Sequence, residues 1–305
     1  MSVEIAPHRS GFVAVVGRPS TGKSSLLNAA LGQLVAPVSP RPQTTRRRQL
    51  GILTRPQAQI VFVDTPGIHA PHDRLGERMN AIARDTLNDA DVALVVFDLS
   101  AAPGADDERA AERVRTSFAG KPVLLALNKV DLVRSQDLAE RVAAYCRLLP
   151  EAEAWAVSAT RGDACAVLFE RLEALIPAGP QYYPPDELTQ TYERDLAGEF
   201  VRAAAMSLLH GELPHSVAVS VESYTERGDD RATITAILYV ERESQKAIVI
   251  GRHGQMVREI GTLARRKIEE MSGRQVYLDL RVKVLRGWRQ DEAALRQFGY
   301  LPHEH

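Results

Sequence analysis

Cysteine is scarce in this 305-residue chain, which holds only Cys146 and Cys165. They stand 19 positions apart with no CxxC spacing, so neither a disulfide framework nor a zinc site is indicated, and both read as inert, partly buried thiols. Long apolar runs are missing too: stretches such as Val92 to Phe97 fall far short of the roughly 18 residues a membrane span needs. Residues Met1 to Ser10 carry Glu4, Pro7, His8 and Arg9 and lack the apolar core of a signal peptide, so the chain is expected to be cytosolic. Internal repeats, low-complexity tracts and coiled-coil heptads are absent. Charge of one sign is not in excess either. Lys and Arg number 38 against 39 Asp and Glu, a formal net charge of −1. Phosphate binding usually shows as basic excess, so the total argues against a nucleic-acid partner unless two regions cancel.

What is present is ordinary globular composition, 45% apolar and 25% charged, at a length that suits two domains. Short apolar runs at Phe12–Val16, Ile60–Val63, Val92–Phe97, Val123–Leu127 and Ala154–Val157 alternate with stretches of helical spacing such as Leu75 to Leu87 and Leu138 to Leu149. Runs apolar on both faces suit strands of a covered parallel sheet, so residues 1–178 predict a doubly wound α/β domain. Pro177, Pro180, Pro184 and Pro185 mark a semi-rigid boundary, and 179–192 reads as a proline-rich linker. Residues 193–305 predict a small α+β unit in the order α-β-β-α-α-β, followed by a tail. Its charge is split. From Pro185 to Glu241 there are 4 basic and 11 acidic residues, a balance of −7; from Arg242 to Arg289 there are 12 and 5, a balance of +7. The near-neutral total is a cancellation.

The strongest motif is Gly17-Arg18-Pro19-Ser20-Thr21-Gly22-Lys23-Ser24, a full GxxxxGK[ST] between a strand and a helix beginning at Ser25. Its glycines let backbone N–H groups curl around phosphate, Lys23 reaches the β- and γ-phosphates, and the Ser24 hydroxyl coordinates Mg²⁺. Asp64-Thr65-Pro66-Gly67 follows 41 residues after Lys23 at the next strand end. There Asp64 can hold the Mg²⁺ hydration shell and the Gly67 N–H can meet a γ-phosphate. Asn128-Lys129-Val130-Asp131 chooses the base, because a carboxylate at Asp131 accepts two hydrogen bonds that guanine offers and adenine does not. Ser158-Ala159-Thr160 would close the base pocket. In the polar stretch Pro42 to Arg48, a threonine, here assigned to Thr45, is expected to ligate Mg²⁺. Arg46, Arg47 and Arg48 read either as an exposed loop face or as a polyanion contact. Catalysis is thus expected of Lys23, Thr45 and Gly67. Ile68 stands where many GTPases carry a water-orienting glutamine, so slow intrinsic hydrolysis is expected; neighbouring His69 reads as structural.

In the second domain, Ile250-Gly251-Arg252-His253-Gly254 places GxxG between two helical segments, the arrangement that grips a nucleotide backbone in KH modules. After it, Val257, Ile260, Ala264 and Ile268 fall on one helix face. Arg258, Arg265, Arg266 and Lys267 fall mostly off it, so RNA binding is favoured over a structural corner or an acidic-lipid surface. Trp288 and Tyr300 in the tail are expected to pack on the domain.

Taken together, GRPSTGKSSLLN, PQTTR, DTPG, NKVD, SAT, the proline linker, VIGRHGQMVREIG and GWRQDEAALRQFGY resemble, in order, the bacterial Era-type GTPases. The resemblance implies a P-loop Ras-like GTPase domain joined to a type II KH domain, with GTP or GDP and Mg²⁺ bound. It also implies a role in small-subunit maturation, with the 3′ region of 16S rRNA and the 30S subunit as partners, and peripheral association with the inner membrane. DNA is not expected as a partner, and a monomer is expected. Ser20 stands where the family usually has Asn. In related GTPases that lack the glutamine such an Asn helps hold a stimulating K⁺, and the shorter reach of Ser20 leaves K⁺ stimulation open. Two other readings are a GTPase of tRNA modification and a nucleotide-gated peripheral membrane adaptor; the positions of both cysteines inside the first domain count against the former.

Overall fold

The computed structural model describes residues 7–71 and 73–301, and these fall into two compact units. The first comprises residues up to Ala36, Thr45–Ala70 and Met79–Gln190; the second comprises Pro37–Thr44, Pro71–Arg78 and the chain from Thr191. Residues 1–6 of the N-terminal stretch read above lie outside the described residues.

In the first unit six strands form one sheet: β1 (Arg9–Val16), β2 (Gln49–Arg55), β3 (Ala58–Asp64), β4 (Val92–Asp98), β5 (Val123–Asn128) and β6 (Glu153–Ala156), in the order β2-β3-β1-β4-β5-β6. All neighbours are parallel except β2 against β3. Every residue of β3 and β4 is buried, which is why those strands read as unbroken apolar runs. β2 escapes that reading. It is a short edge strand, QLGILTR, with polar ends and only three buried residues, and a tight turn ties it to β3. Its Gly51 is required by packing, since a Cβ there would sit 2.3 Å from Leu27 Cδ1.

Five helices cover the sheet: α1 (Lys23–Leu31), α2 (Arg74–Asp89, whose first turns belong to the second unit), α3 (Ala105–Ser117), α4 (Ser135–Cys146) and α5 (Cys165–Leu175). The core is accordingly two apolar layers. Leu26 and Leu27 of α1 and Leu168, Phe169 and Leu172 of α5 fill one; Ala111 and Val114 of α3 and Tyr145 of α4 help fill the other. The two layers put all parallel strands with their C-terminal ends on one edge, where loops gather in doubly wound sheets. The proline-rich segment packs along this unit for much of its length. The side chain of fully buried Gln59 accepts from the N–H groups of Tyr182 and Tyr183 and donates to the Tyr183 carbonyl, and the Leu188 carbonyl accepts from Ile52 N at 2.8 Å.

The second unit holds α6 (Glu193–Leu208), β7 (Ala218–Glu226), β8 (Arg231–Val240), α7 (Glu243–Ile250), α8 (Gln255–Ser272), β9 (Gln275–Val284) and the short α9 (Glu292–Gln297). β8 pairs antiparallel with β7 and parallel with β9. The α-β-β-α-α-β order read from sequence is the observed one. Ile260, Ala264 and Ile268 of α8 are fully buried, one residue per turn along a single face, while α6 is buried from Leu196 to Met206. Trp288, Phe298 and Tyr300 pack as an aromatic cluster, with Trp288 Nε1 donating to the Ser216 carbonyl at 2.9 Å. Both tail aromatics therefore pack on the unit, as expected. Among the described residues no helix is long and apolar enough to cross a membrane.

Candidate functional site: a guanine-nucleotide pocket and a GxxG loop

The motifs of the first unit converge at the C-terminal edge of its sheet. The chain leaves β1 through Gly17, at a φ of 149°, and enters α1 through Gly22, at 96°. A Cβ at Gly17 would lie 2.3 Å from the Val96 carbonyl, so the loop needs glycine there on both counts. Ser20 also adopts a left-handed φ, 62°. The buried Lys23 ammonium donates to the carbonyls of Gly17 and Arg18 at 3.2 and 2.9 Å, and Thr21 Oγ1 donates to Arg18 O at 3.2 Å. Burial pushes the Lys23 ammonium down to about 8, opposed by Asp64 and reinforced by Arg18. A phosphate beside it would restore the charged form. The Arg18 guanidinium pairs with Asp98 and Asp107, and its Nη1 also donates to the Pro19 carbonyl at 3.3 Å, so this residue lines the loop through its backbone. Pro19, Ser24 and Ser25 complete the turn into α1, whose first-turn N–H groups suit an anion.

Ser24, Thr45 and Asp64 form a tight oxygen cluster. Ser24 Oγ donates to Asp64 Oδ2 at 2.7 Å, Thr45 Oγ1 donates to the same oxygen at 3.3 Å, and the two hydroxyls lie 3.0 Å apart. Burial raises the pKa of Asp64, and its second oxygen, Oδ1, is buried without a partner among the described residues. Two hydroxyls and an under-satisfied carboxylate are hard oxygen donors of the kind Mg²⁺ takes, so the residues fit that cation. The pairing supports Thr45 for the Mg²⁺ role.

The segment after Asp64 is fixed by its own bonds. Thr65 Oγ1 donates to Val15 O at 2.8 Å, and Ile68 N donates to Gly17 O at 3.1 Å. After Pro66, Gly67 crosses so near the phosphate loop that a Cβ would lie 2.5 Å from Pro19 N. The Ile68 side chain is buried with Ala83 and Ala110. No water-orienting group occupies that position. His69 Nδ1 donates to the Gly67 carbonyl at 2.9 Å, and Asn80 bonds both main-chain groups of His69, as a structural histidine would. The three arginines that follow Thr45 are not one exposed face: Arg46 is buried, Arg47 half-buried and only Arg48 exposed.

Asn128, at the end of β5, ties three motifs together. Its Nδ2 donates to the Thr21 carbonyl at 2.9 Å, and its Oδ1 accepts from Ala159 N at 3.0 Å. Lys129 is left-handed at φ 66° and donates to the Ser20 carbonyl at 2.8 Å. Val130 and Asp131 lie in a single 3-10 turn, and Asp131 Oδ1 is buried with no partner among the described residues. That orphan acceptor is what a guanine N1–H and 2-amino group would satisfy. Ser158 Oγ lies 3.2 Å from Thr160 Oγ1 and accepts from Arg161 N, holding the Ala159 loop shut.

In the second unit Ile250 ends α7, and Arg252–Gly254 is one 3-10 turn leading into α8. Gly251, His253 and Gly254 all have positive φ, 72°, 51° and 76°. A Cβ at Gly251 would stand 2.7 Å from Met256 Cβ, whereas Gly254 faces open space. The first turn of α8 carries no acidic residue. Arg258 and Arg266 are exposed, as are Arg252 and His253, and among the described residues Arg252, Arg258 and Arg266 have no ion pair. Arg265 and Lys267 instead pair with Glu269 and Glu270 of their own helix, at 3.6 and 2.8 Å.

A phosphate loop, a Mg²⁺-type oxygen cluster and an orphan guanine acceptor on a doubly wound sheet define a P-loop GTPase; the second unit adds a KH fold. Comparisons with known proteins agree. Residues 12–129 match the family described as 50S ribosome-binding GTPase, and residues 212–289 match the KH domain family. The chain is 45% identical over 292 residues to GTPase Era of Geotalea uraniireducens, covering 96% of this chain and 98% of that protein. It is 44% identical over 295 residues to GTPase Era of Mycolicibacterium smegmatis, covering 96% and 99%. Crystal structures of Era in complex with MgGDPNP and nucleotides 1506–1542 of 16S ribosomal RNA, and of a single-residue variant of Aquifex aeolicus Era bound to GDP.AlF4-, superimpose with TM-scores of 0.89 and 0.88. Each is 37% identical to this chain and covers 96% of it and 99% of the other. The chain belongs to the Era family of GTPases.

Proposed function

We propose that this protein is a guanine-nucleotide switch that hydrolyses GTP to GDP and phosphate and binds the 3′ region of 16S rRNA through its GxxG loop, assisting 30S subunit assembly in the cytoplasm. The observation that carries the nucleotide half is the pair of orphaned carboxylate oxygens, Asp131 Oδ1 at the base end and Asp64 Oδ1 at the metal end. Support for the RNA half comes from three positive-φ residues and three unpaired arginines on the GxxG side, and from the Era relative whose structure holds 16S nucleotides 1506–1542. The nucleotide-binding part would run through 1–178, and the RNA-binding part through 193–305. Peripheral attachment to the inner membrane would add to this role through the same basic surface.

Mg²⁺ would neutralise charge between the β- and γ-phosphates, held by Ser24, Thr45 and Asp64. Lys23 would bind the same oxygens, the Gly67 N–H would meet the γ-phosphate, and Asp131 would select guanine. None of these groups orients the attacking water, and Ile68 is buried where such a group would stand. Turnover by the purified chain is therefore slow. The test is steady-state phosphate release with and without a 16S 3′-end fragment and K⁺; the fragment is expected to raise kcat, and fast unaided turnover would refute the account.

A further inference from the structure

The sequence motifs leave Asp98 unassigned, yet it sits at the meeting point of two of them. It ends β4 and is 5% exposed. One carboxylate oxygen, Oδ1, accepts from Ser100 N and Oγ at 3.0 and 2.5 Å, which fixes the side chain's rotation. The other, Oδ2, accepts from Lys129 Nζ at 2.7 Å and lies 3.4 Å from Arg18 Nη2. Arg18 belongs to the phosphate loop and Lys129 to the base motif. Arg18 is anchored on its far side by Asp107, whose oxygens lie 3.1 and 3.2 Å from Nε, and Lys129 bonds the phosphate loop again at Ser20 O. Two cations and two carboxylates thus close a charge-balanced quartet against the nucleotide pocket. Removing one member of such a set strands the others in a low-dielectric site.

We propose that Asp98 is a positioning residue for nucleotide binding, a single carboxylate that locks the phosphate loop to the guanine motif so that the two grip the nucleotide as one body. The proposal rests on the guanine-nucleotide reading of the pocket. It does not require Asp98 to touch the nucleotide. Without the carboxylate, Lys129 loses one of its two anchors and Arg18, still held by Asp107 and the Pro19 carbonyl, loses its link to Lys129, so base and phosphate contacts open independently.

The experiment is dissociation of a fluorescent GDP analogue from the full chain, chased with excess GDP. If the unmodified chain fails to bind the analogue, the nucleotide reading itself fails. Given binding, Asp98→Asn, which keeps the side chain's shape and removes its charge, is expected to speed release at least tenfold. In the parent chain Arg18→Gln and Lys129→Gln are expected to be non-additive, the double variant releasing at least threefold more slowly than the product of the single effects predicts. In the Asp98→Asn background the same two substitutions become additive. A purely structural Asp98 would lower thermal stability without altering that coupling. Release within twofold of the parent for Asp98→Asn, or independent effects of Arg18→Gln and Lys129→Gln in the parent chain, overturns the proposal. The second comparison stands even if Asp98→Asn does not fold.

Discussion

Asp98 holds two cations together inside a covered sheet edge. Burial pushes the Asp98 carboxyl up, but hydrogen bonds from Lys129 and Ser100 outweigh it and leave the group below its ordinary value. A carboxylate with a depressed folded pKa stabilises the fold above its unfolded value, near 3.8, and loses that contribution as pH falls through the folded value. Asp98→Asn is therefore expected to cost about 2 kcal/mol at pH 6, in the range of hydrogen bonds to charged groups. The difference from the parent should shrink toward pH 3, as urea unfolding at the two pH values would show. Motif spacing brought out the residues that meet the nucleotide, because backbone-cradling glycines and a base-reading Asp leave fixed patterns. It could not bring out Asp98, whose partners Arg18 and Lys129 are 80 residues before and 31 after it and become neighbours only in the fold. The burial of Arg46 was equally hidden, since a run of three arginines carries no mark of which one turns inward.

Among elements, the GxxG turn shows how two glycines in one motif do different work. Gly251 combines a positive φ of 72° at an extended ψ of 175° with a would-be Cβ against Met256, while Gly254 is left-handed helical with no neighbour within 4 Å. Left-handed backbone alone costs a non-glycine residue about 1–2 kcal/mol. Gly251→Ala should accordingly destabilise the second unit by about 2–3 kcal/mol and Gly254→Ala by only about 1 kcal/mol. Fluorescence of buried Trp288 in a Trp155→Phe background would follow the unfolding. The strands buried on both faces were legible from their apolar runs, and α8 from its helical spacing. β2 was not, because an edge strand with polar ends obeys neither pattern. The prolines marked 179–192 as a linker but gave no sign that Gln59 and Ile52 fasten the segment to the first unit up to Leu188, since those bonds come from residues over a hundred positions away.

For the whole molecule, the formal net charge of −1 conceals a segment of −7 followed by one of +7. Part of the positive segment is neutralised locally: Arg274 pairs with Glu193 at 2.6 Å, Arg281 with Asp279 at 2.7 Å, and Arg289 with Glu241 at 2.8 Å. Among the described residues, those without an ion pair include Arg252 at the GxxG turn and Arg258 and Arg266 along α8, besides Arg242, Lys246 and Arg286. Uncompensated cations at a turn whose backbone can approach phosphate closely favour a placed backbone contact over indiscriminate polyanion binding. In the proposed function this turn carries the protein to the 3′ region of 16S rRNA. Crosslinking the full chain, loaded with GTP or GDP, to total RNA and sequencing the attached fragments tests it most directly, with Gly254→Asp as the comparison because open space surrounds that position. Crosslinks concentrated at the 16S 3′ end and lost in Gly254→Asp are the predicted result. Crosslinks centred on tRNA, or a pattern unchanged by the substitution, would contradict it.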